Sequence, residues 1–214
     1  MSGGFNLAPA LARLSPDRPL VIVDADEVTL RFVDGFDRFL RDRGLYLDLT
    51  SYRLQGNVKS RADNATLLDI EVTALLEEFR QDLDSLEAVP GARESLANLS
   101  RLASIVVLSN ITEAQAPARR RNLLSLSLDF PLVANSGPKG PAVRALAART
   151  QAASFFIDDI PQHLASTAEF APQVFRIHLV GEARLRGLLP LPIHAHCGAM
   201  DWGSAEAFIT AQLI

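Results

Sequence analysis

Cysteine is almost missing from this chain. The one present, Cys197, rules out an internal disulfide and suits a reducing compartment. Long apolar runs are missing too: none comes near the ~20 residues a helix needs to cross a bilayer. The opening Met-Ser-Gly-Gly-Phe-Asn lacks the basic start and apolar stretch of a secretory leader. Neither sign of charge dominates: 21 Lys and Arg stand against 25 Asp and Glu, for a net charge of −4. A nucleic-acid or membrane surface is not expected, and the short Arg119-Arg120-Arg121 run reads as a solvated helix face or end. The chain also lacks internal repeats and low-complexity tracts. Together these shortages point to a cytoplasmic protein.

What is present is a core. Hydrophobic residues make up 48% of 214, enough for one substantial core with room for a small appended module. Residues 20–30 read Leu-Val-Ile-Val-Asp-Ala-Asp-Glu-Val-Thr-Leu. The β-branched run predicts a fully buried strand of a parallel sheet. It ends in two carboxylates, Asp24 and Asp26, at the strand end where open α/β sheets place their ligand sites. The plainer reading is that these acids mark the strand's solvated end.

Residues 1–18 read as a short arm or helix. After the first strand, Phe32, Val33, Phe36, Phe39 and Leu40 recur at helical spacing, with Gly44 as a stop. Residues 45–57 look irregular. Asp63 or Asn64 can cap a helix carrying Leu67, Leu68, Ile70, Leu75, Leu76 and Phe79. No convincing strand shows within 31–89, which reads as a helical insert. From Pro90-Gly91 onward, strands predicted at 104–108, 131–134, 154–157 and 173–180 alternate with helices at 113–124, 142–150 and 162–170. A short edge strand at 193–197 and a helix at 204–213 close the chain. The alternation predicts an α/β Rossmann-like three-layer sandwich with a mainly parallel sheet.

Four polar features follow the apolar strands in order: Asp24-Ala25-Asp26-Glu27-Val28, Ser109, Lys139 in a Gly/Pro loop opening a helix, and Asp158-Asp159. This ordered set resembles the haloacid dehalogenase (HAD) superfamily of phosphohydrolases, over residues 20–180. The family's motifs are an acid-x-acid-x-Thr/Val, a Ser or Thr after a strand, a Lys near a helix start, and a pair of acids after a strand. The resemblance implies a HAD-like core at 1–30 and 90–214, with 31–89 as a helical C1-type cap. Roughly 28 residues separate Ser109 from the Lys139 loop, too few for a large second cap.

The resemblance also implies chemistry. Asp24 would attack a phosphoryl group, and Asp26 would serve the leaving oxygen as acid and then the water as base. Mg²⁺, a hard cation preferring oxygen, would be held by Asp24, the Asp26 carbonyl, and Asp158 or Asp159. Lys139 and Ser109 would meet the transferring group, with Asn110 a further donor. The expected activity is Mg²⁺-dependent hydrolysis of a small phosphorylated metabolite. A phosphomutase of the same superfamily and a non-catalytic HAD-like binding or regulatory protein stand beside it.

Glu27 departs from the family, where many members have Gly, and leaves the substrate class open. Asp26 argues against the dehalogenase and phosphonate-cleaving branches. His163, one helical turn past the acid pair, could lie near the site, although a helix-surface histidine is the favoured reading. Arg31 is a candidate anion contact; Arg53, Lys59 and Arg61 read as surface charge. His194, His196 and Cys197 fit an edge strand better than a zinc site, because alternation puts Cys197 on the opposite face.

Overall fold

A computed structural model describes residues 5–81, 83–188 and 192–213. Residues 1–4 of the expected arm lie outside that set; within the arm a single helical turn, α1 (Ala8–Leu11), forms. Among the described residues no helix is long and apolar enough to cross a membrane.

The main sheet has six strands: β1 (Leu20–Val23), β4 (Ser104–Ser109), β5 (Leu132–Ala134), β6 (Ser154–Asp158), β7 (Phe175–Leu179) and β8 (Cys197–Ala199). Their spatial order is β5-β4-β1-β6-β7-β8, and every neighbouring pair is parallel. β1 is central: Val23 sits opposite Val107 on one side and Ile157 on the other. Alternate residues feed two cores. Val21, Val23, Val107, Phe155 and Ile157 face one; Leu20, Ile22, Val106, Leu108 and Phe156 face the other. With both faces covered, the strands read as continuous apolar runs, as parallel strands do. The chain winds one way from β1 to β4 and β5, and the other way from β6 to β8. The strand order therefore reverses beside β1, and crevices form beyond the strands' carboxyl ends there.

The helices are α2 (Phe32–Arg41), α3 (Asp69–Phe79), α4 (Ala92–Leu102), α5 (Ala116–Ser125), α6 (Gly140–Ala147), α7 (Pro161–Phe170) and α8 (Trp202–Ala211). α2 ends at Arg41, and the turn beyond it closes at Gly44, whose φ of +69 a side chain would oppose. α8 opens on a capping box, with Ser204 N–H donating to Asp201 Oδ1 at 2.8 Å. Its first residue, Trp202, is fully buried and donates its indole N–H to the Val28 carbonyl at 2.8 Å.

Three expectations need correction. Residues 31–89 are not purely helical: β2 (Leu45–Leu47) and β3 (Val58–Ser60) pair antiparallel. Three residues per strand are too few for period-2 alternation to show. Asp63 and Asn64 do not cap a helix. Asp63 accepts the Ala65 N–H, Asn64 takes a φ of +59, and Leu67 N–H bonds the Val58 carbonyl. The segment runs back along β3, and α3 begins only at Asp69, leaving Leu68 and Ile70 exposed. The last edge strand is Cys197–Ala199 rather than 193–197, paired with β7 through Ile177 and Leu179.

The packing of α6 against α7 is close enough to require glycine. A Cβ at Gly140 would lie 2.3 Å from the Ser166 carbonyl oxygen. Gly140→Ala should cost about 2–3 kcal/mol, lowering the urea midpoint with the m-value unchanged. Gly203→Ala, where the nearest atom is 3.5 Å away, should change stability by less than about 0.5 kcal/mol.

Candidate active site

β1 ends at Val23, and Asp24 N–H still bonds the Ile157 carbonyl of β6 at 2.9 Å. The loop beyond folds tightly on itself. Thr29 Oγ1 donates to the Asp24 carbonyl at 2.7 Å, while the Thr29 and Leu30 amides both reach the Ala25 carbonyl. Asp24 is thereby held at the strand tip, and its Oδ1 accepts the Ala25 N–H at 2.6 Å.

Lys139, at the start of α6, lies fully buried between two strand ends. Its Nζ sits 2.6 Å from Asp24 Oδ1 and 2.8 Å from Asp158 Oδ2. Asp158 Oδ1 accepts the Ile160 N–H at 2.9 Å, so both its oxygens are engaged. Asp159 differs: Tyr52 donates its hydroxyl to Oδ2, and Oδ1 is buried with no partner among the described residues. Asp24 Oδ2 takes no hydrogen bond from any described residue.

Burial pushes the Asp24 carboxyl up to about 6, with the Asp158 and Asp26 charges adding and Lys139 opposing. Burial raises Asp158 as well, and raises Asp159 well above the usual range, where Asp158 and Asp24 add repulsion. Burial alone would lower Lys139, but the two carboxylates on it outweigh that and hold it ionised.

Oxygens of Asp24, Asp158 and Asp159 lie within 4.8 Å of one another. Of the three buried acids Lys139 reaches Asp24 and Asp158, which leaves, among the described residues, an orphan oxygen on Asp159 and a free oxygen on Asp24. An all-oxygen donor set of this kind fits a hard cation. Since both Asp158 oxygens are occupied, Asp159 is the better placed of the pair to meet it.

Asp24, Asp26, Asn110, Lys139 and Asp159 line one cavity of about 320 Å³, which Glu27, Tyr52, Arg80 and His163 also border. Ser109, at the end of β4, is buried with its hydroxyl unpartnered. The Asn110 amide is committed: its Nδ2 donates to the Gly137 carbonyl at 3.0 Å and faces His163 Nε2 at 3.3 Å. His163 is therefore not a helix-surface residue; it is nearly buried in the cavity wall. The remaining cations lie outside: Arg31 pairs with Glu87 and Asp34, Lys59 with Asp48, and Arg53 with Asp69. Arg61 turns its guanidinium toward the Tyr46 ring.

The largest surprise is Arg119. Arg120 and Arg121 are exposed as expected, but Arg119 is wholly buried, with Nη2 2.6 Å from Asp26 Oδ1. Among the described residues none of its guanidinium nitrogens, Nη2 included, makes a hydrogen bond of good geometry, so the contact with Asp26 is a close ion pair. No periodic signal marked this arginine: the buried face of α5 is Arg119, Asn122 and Leu123, two polar residues out of three. Glu27 also has a defined place. At a φ of +59 it turns its side chain back, and Oε1 accepts the Val33 N–H at 2.7 Å, capping α2. Burial raises this carboxyl to about 7.

Neither a protein-family model nor a curated protein sequence matches the chain. Solved structures do. A haloacid dehalogenase-like hydrolase from Burkholderia xenovorans aligns at TM-score 0.57 and 16% identity, over 93% of this chain and 100% of its own. A HAD family hydrolase from Deinococcus radiodurans, with bound phosphate and sodium, aligns at 0.56 and 17%, over 94% and 99%. The magnesium-bound HAD hydrolase YfnB from Bacillus subtilis aligns at 0.57 and 11%, over 91% and 99%. The chain has the fold of the HAD hydrolases, with a buried aspartate cluster at the end of its central strands.

Two measurements check this geometry. Burial, with Lys139 nearby, lowers the His163 ring to about 4. The unfolded chain binds that proton from about pH 6.5, so the folded form loses stability as pH falls from 6.5 toward 4. Between pH 7 and 5 the natural protein should lose about 2 kcal/mol more than His163→Gln, read from urea unfolding. For Arg119, Asp26→Ala strands a buried guanidinium and should cost about 3 kcal/mol, most of it recovered in the double variant with Arg119→Met.

Proposed function

We propose that the protein is a Mg²⁺-dependent phosphohydrolase that cleaves a small phosphate monoester through an aspartyl-phosphate on Asp24. The observation that carries this reading is Asp24 itself. One of its oxygens is pinned by Lys139 and the Ala25 amide, and the other is free at the wall of a cavity.

Asp24 Oδ2 attacks phosphorus as the ester oxygen leaves, and a second displacement by water frees the carboxylate. Asp26 gives the departing oxygen its proton, then takes one from that water. Lys139 offsets charge on the transferring group, and the unpartnered Ser109 hydroxyl has a proton to donate to it. Bound Mg²⁺, held by Asp24, Asp159 and the Asp26 carbonyl with Asp158 behind, would supply charge neutralisation between phosphate and carboxylate. Residues 31–89 serve as the cap over this end of the sheet, and Arg80 is their cation on the cavity wall. The substrate is a small phosphorylated metabolite, and a cytoplasmic setting suits the single cysteine.

Phosphate release from a panel of phosphorylated metabolites should require Mg²⁺. Asp24→Asn should lower it at least about a thousandfold. Isomerised product without free phosphate would replace hydrolysis with a mutase. No turnover by a folded, Mg²⁺-binding protein across the panel would favour the binding role.

A further inference from the structure

Tyr52 and Asp159 are 107 residues apart, on different elements, and meet at the acid cluster. Tyr52 belongs to the loop joining β2 to β3. That loop is tied to one buried amide. Asn57 Nδ2 donates to the Ser51 carbonyl at 2.9 Å and also reaches the Arg53 carbonyl. Its Oδ1 accepts the Thr50 N–H at 3.1 Å and the Thr50 hydroxyl at 2.9 Å. The backbone on both sides of Tyr52 is thus fixed, and the ring packs against the main core.

Asp159 is held from the other side as well, where His178 Nε2 meets its carbonyl at 2.9 Å. With Oδ2 engaged by Tyr52, the carboxylate cannot rotate freely. Its second oxygen, Oδ1, is buried and unpartnered. A carboxylate pinned through one oxygen presents the other in one direction.

We propose that Tyr52 is a positioning residue for the cation site: its hydroxyl orients Asp159, and so couples cation binding to the seating of loop 48–57 on the sheet. The inference rests on the reading of Asp24, Asp158 and Asp159 as that site. Groups that orient metal ligands typically contribute 10- to 100-fold in affinity. Coupling is reciprocal, so the cation must steady the loop as much as the loop steadies the cation.

The test uses the whole protein without substrate. Mn²⁺ affinity is measured by calorimetry for the natural protein, Tyr52→Phe and Tyr46→Phe. Phenylalanine keeps the packed ring and removes only the hydroxyl; the Tyr46 hydroxyl bonds Asn64 on the exposed hairpin. Tyr52→Phe should remain folded but bind Mn²⁺ about 10- to 100-fold more weakly, and Tyr46→Phe should bind as the natural protein does. Hydrogen exchange over 48–57 should slow with Mg²⁺ in the natural protein and not in Tyr52→Phe. Equal Mn²⁺ affinity, or tighter binding by Tyr52→Phe, overturns the role of Tyr52 while leaving the cation site standing. Absence of Mn²⁺ binding by the natural protein overturns both.

Discussion

An ammonium shut away from water between two carboxylates constrains the rest of this fold. Lys139 is almost wholly buried at the floor of the cavity, and Asp158 is wholly buried. An isolated charge at that depth would be strongly disfavoured, and three buried acids without Lys139 would repel one another. The ion pairs hold only if the tips of β1 and β6 and the start of α6 stay in register. The parallel sheet supplies that register, since Asp24 follows β1 and Asp158 ends β6, strands whose residues pair directly. The tight α6–α7 contact at Gly140 belongs to the same requirement: it seats the residue immediately after Lys139.

Around that centre the chain places groups that set the first loop. The Glu27 side chain caps α2, and its carbonyl accepts the Gly181 N–H beyond β7 at 2.5 Å. A side chain at Gly181 would strike that carbonyl, so a residue in a left-handed conformation and a glycine face each other. Arg119 backs Asp26 from α5. The Asp24–Asp26 loop is therefore fastened by the neighbouring α2 and by two segments distant in sequence, Gly181 and α5, and is held rigid by them.

The sequence was legible where periodicity and order carry information. β1, β4 and β6 are runs long enough to be read as buried strands, and each ends in a polar residue that stands out against them. Asp24, Asp26, Asn110, Lys139 and Asp159 meet in one cavity because the order of parallel strands dictates it. The hairpin of β2 and β3 escaped because three residues cannot display a period. Arg119 escaped because the buried face of α5, with Arg119 and Asn122 beside Leu123, shows no apolar stripe to read. His163 was hinted at by its place one turn past the acid pair, whereas Tyr52 depends on a contact formed only once distant elements have docked, and no local pattern announces it.

One more property follows from Trp202. It is the only tryptophan of the chain, and its indole N–H ends on the carbonyl of Val28, inside the loop that begins at Asp24. The chain therefore carries a single built-in optical probe, wired to the segment where the chemistry is proposed. Its emission is a local signal: a shift of that loop changes the hydrogen bond of the lone indole while the sheet stays intact. Ligand-induced rearrangement and global unfolding can be followed in the same cuvette, without a label, as two distinct spectral events.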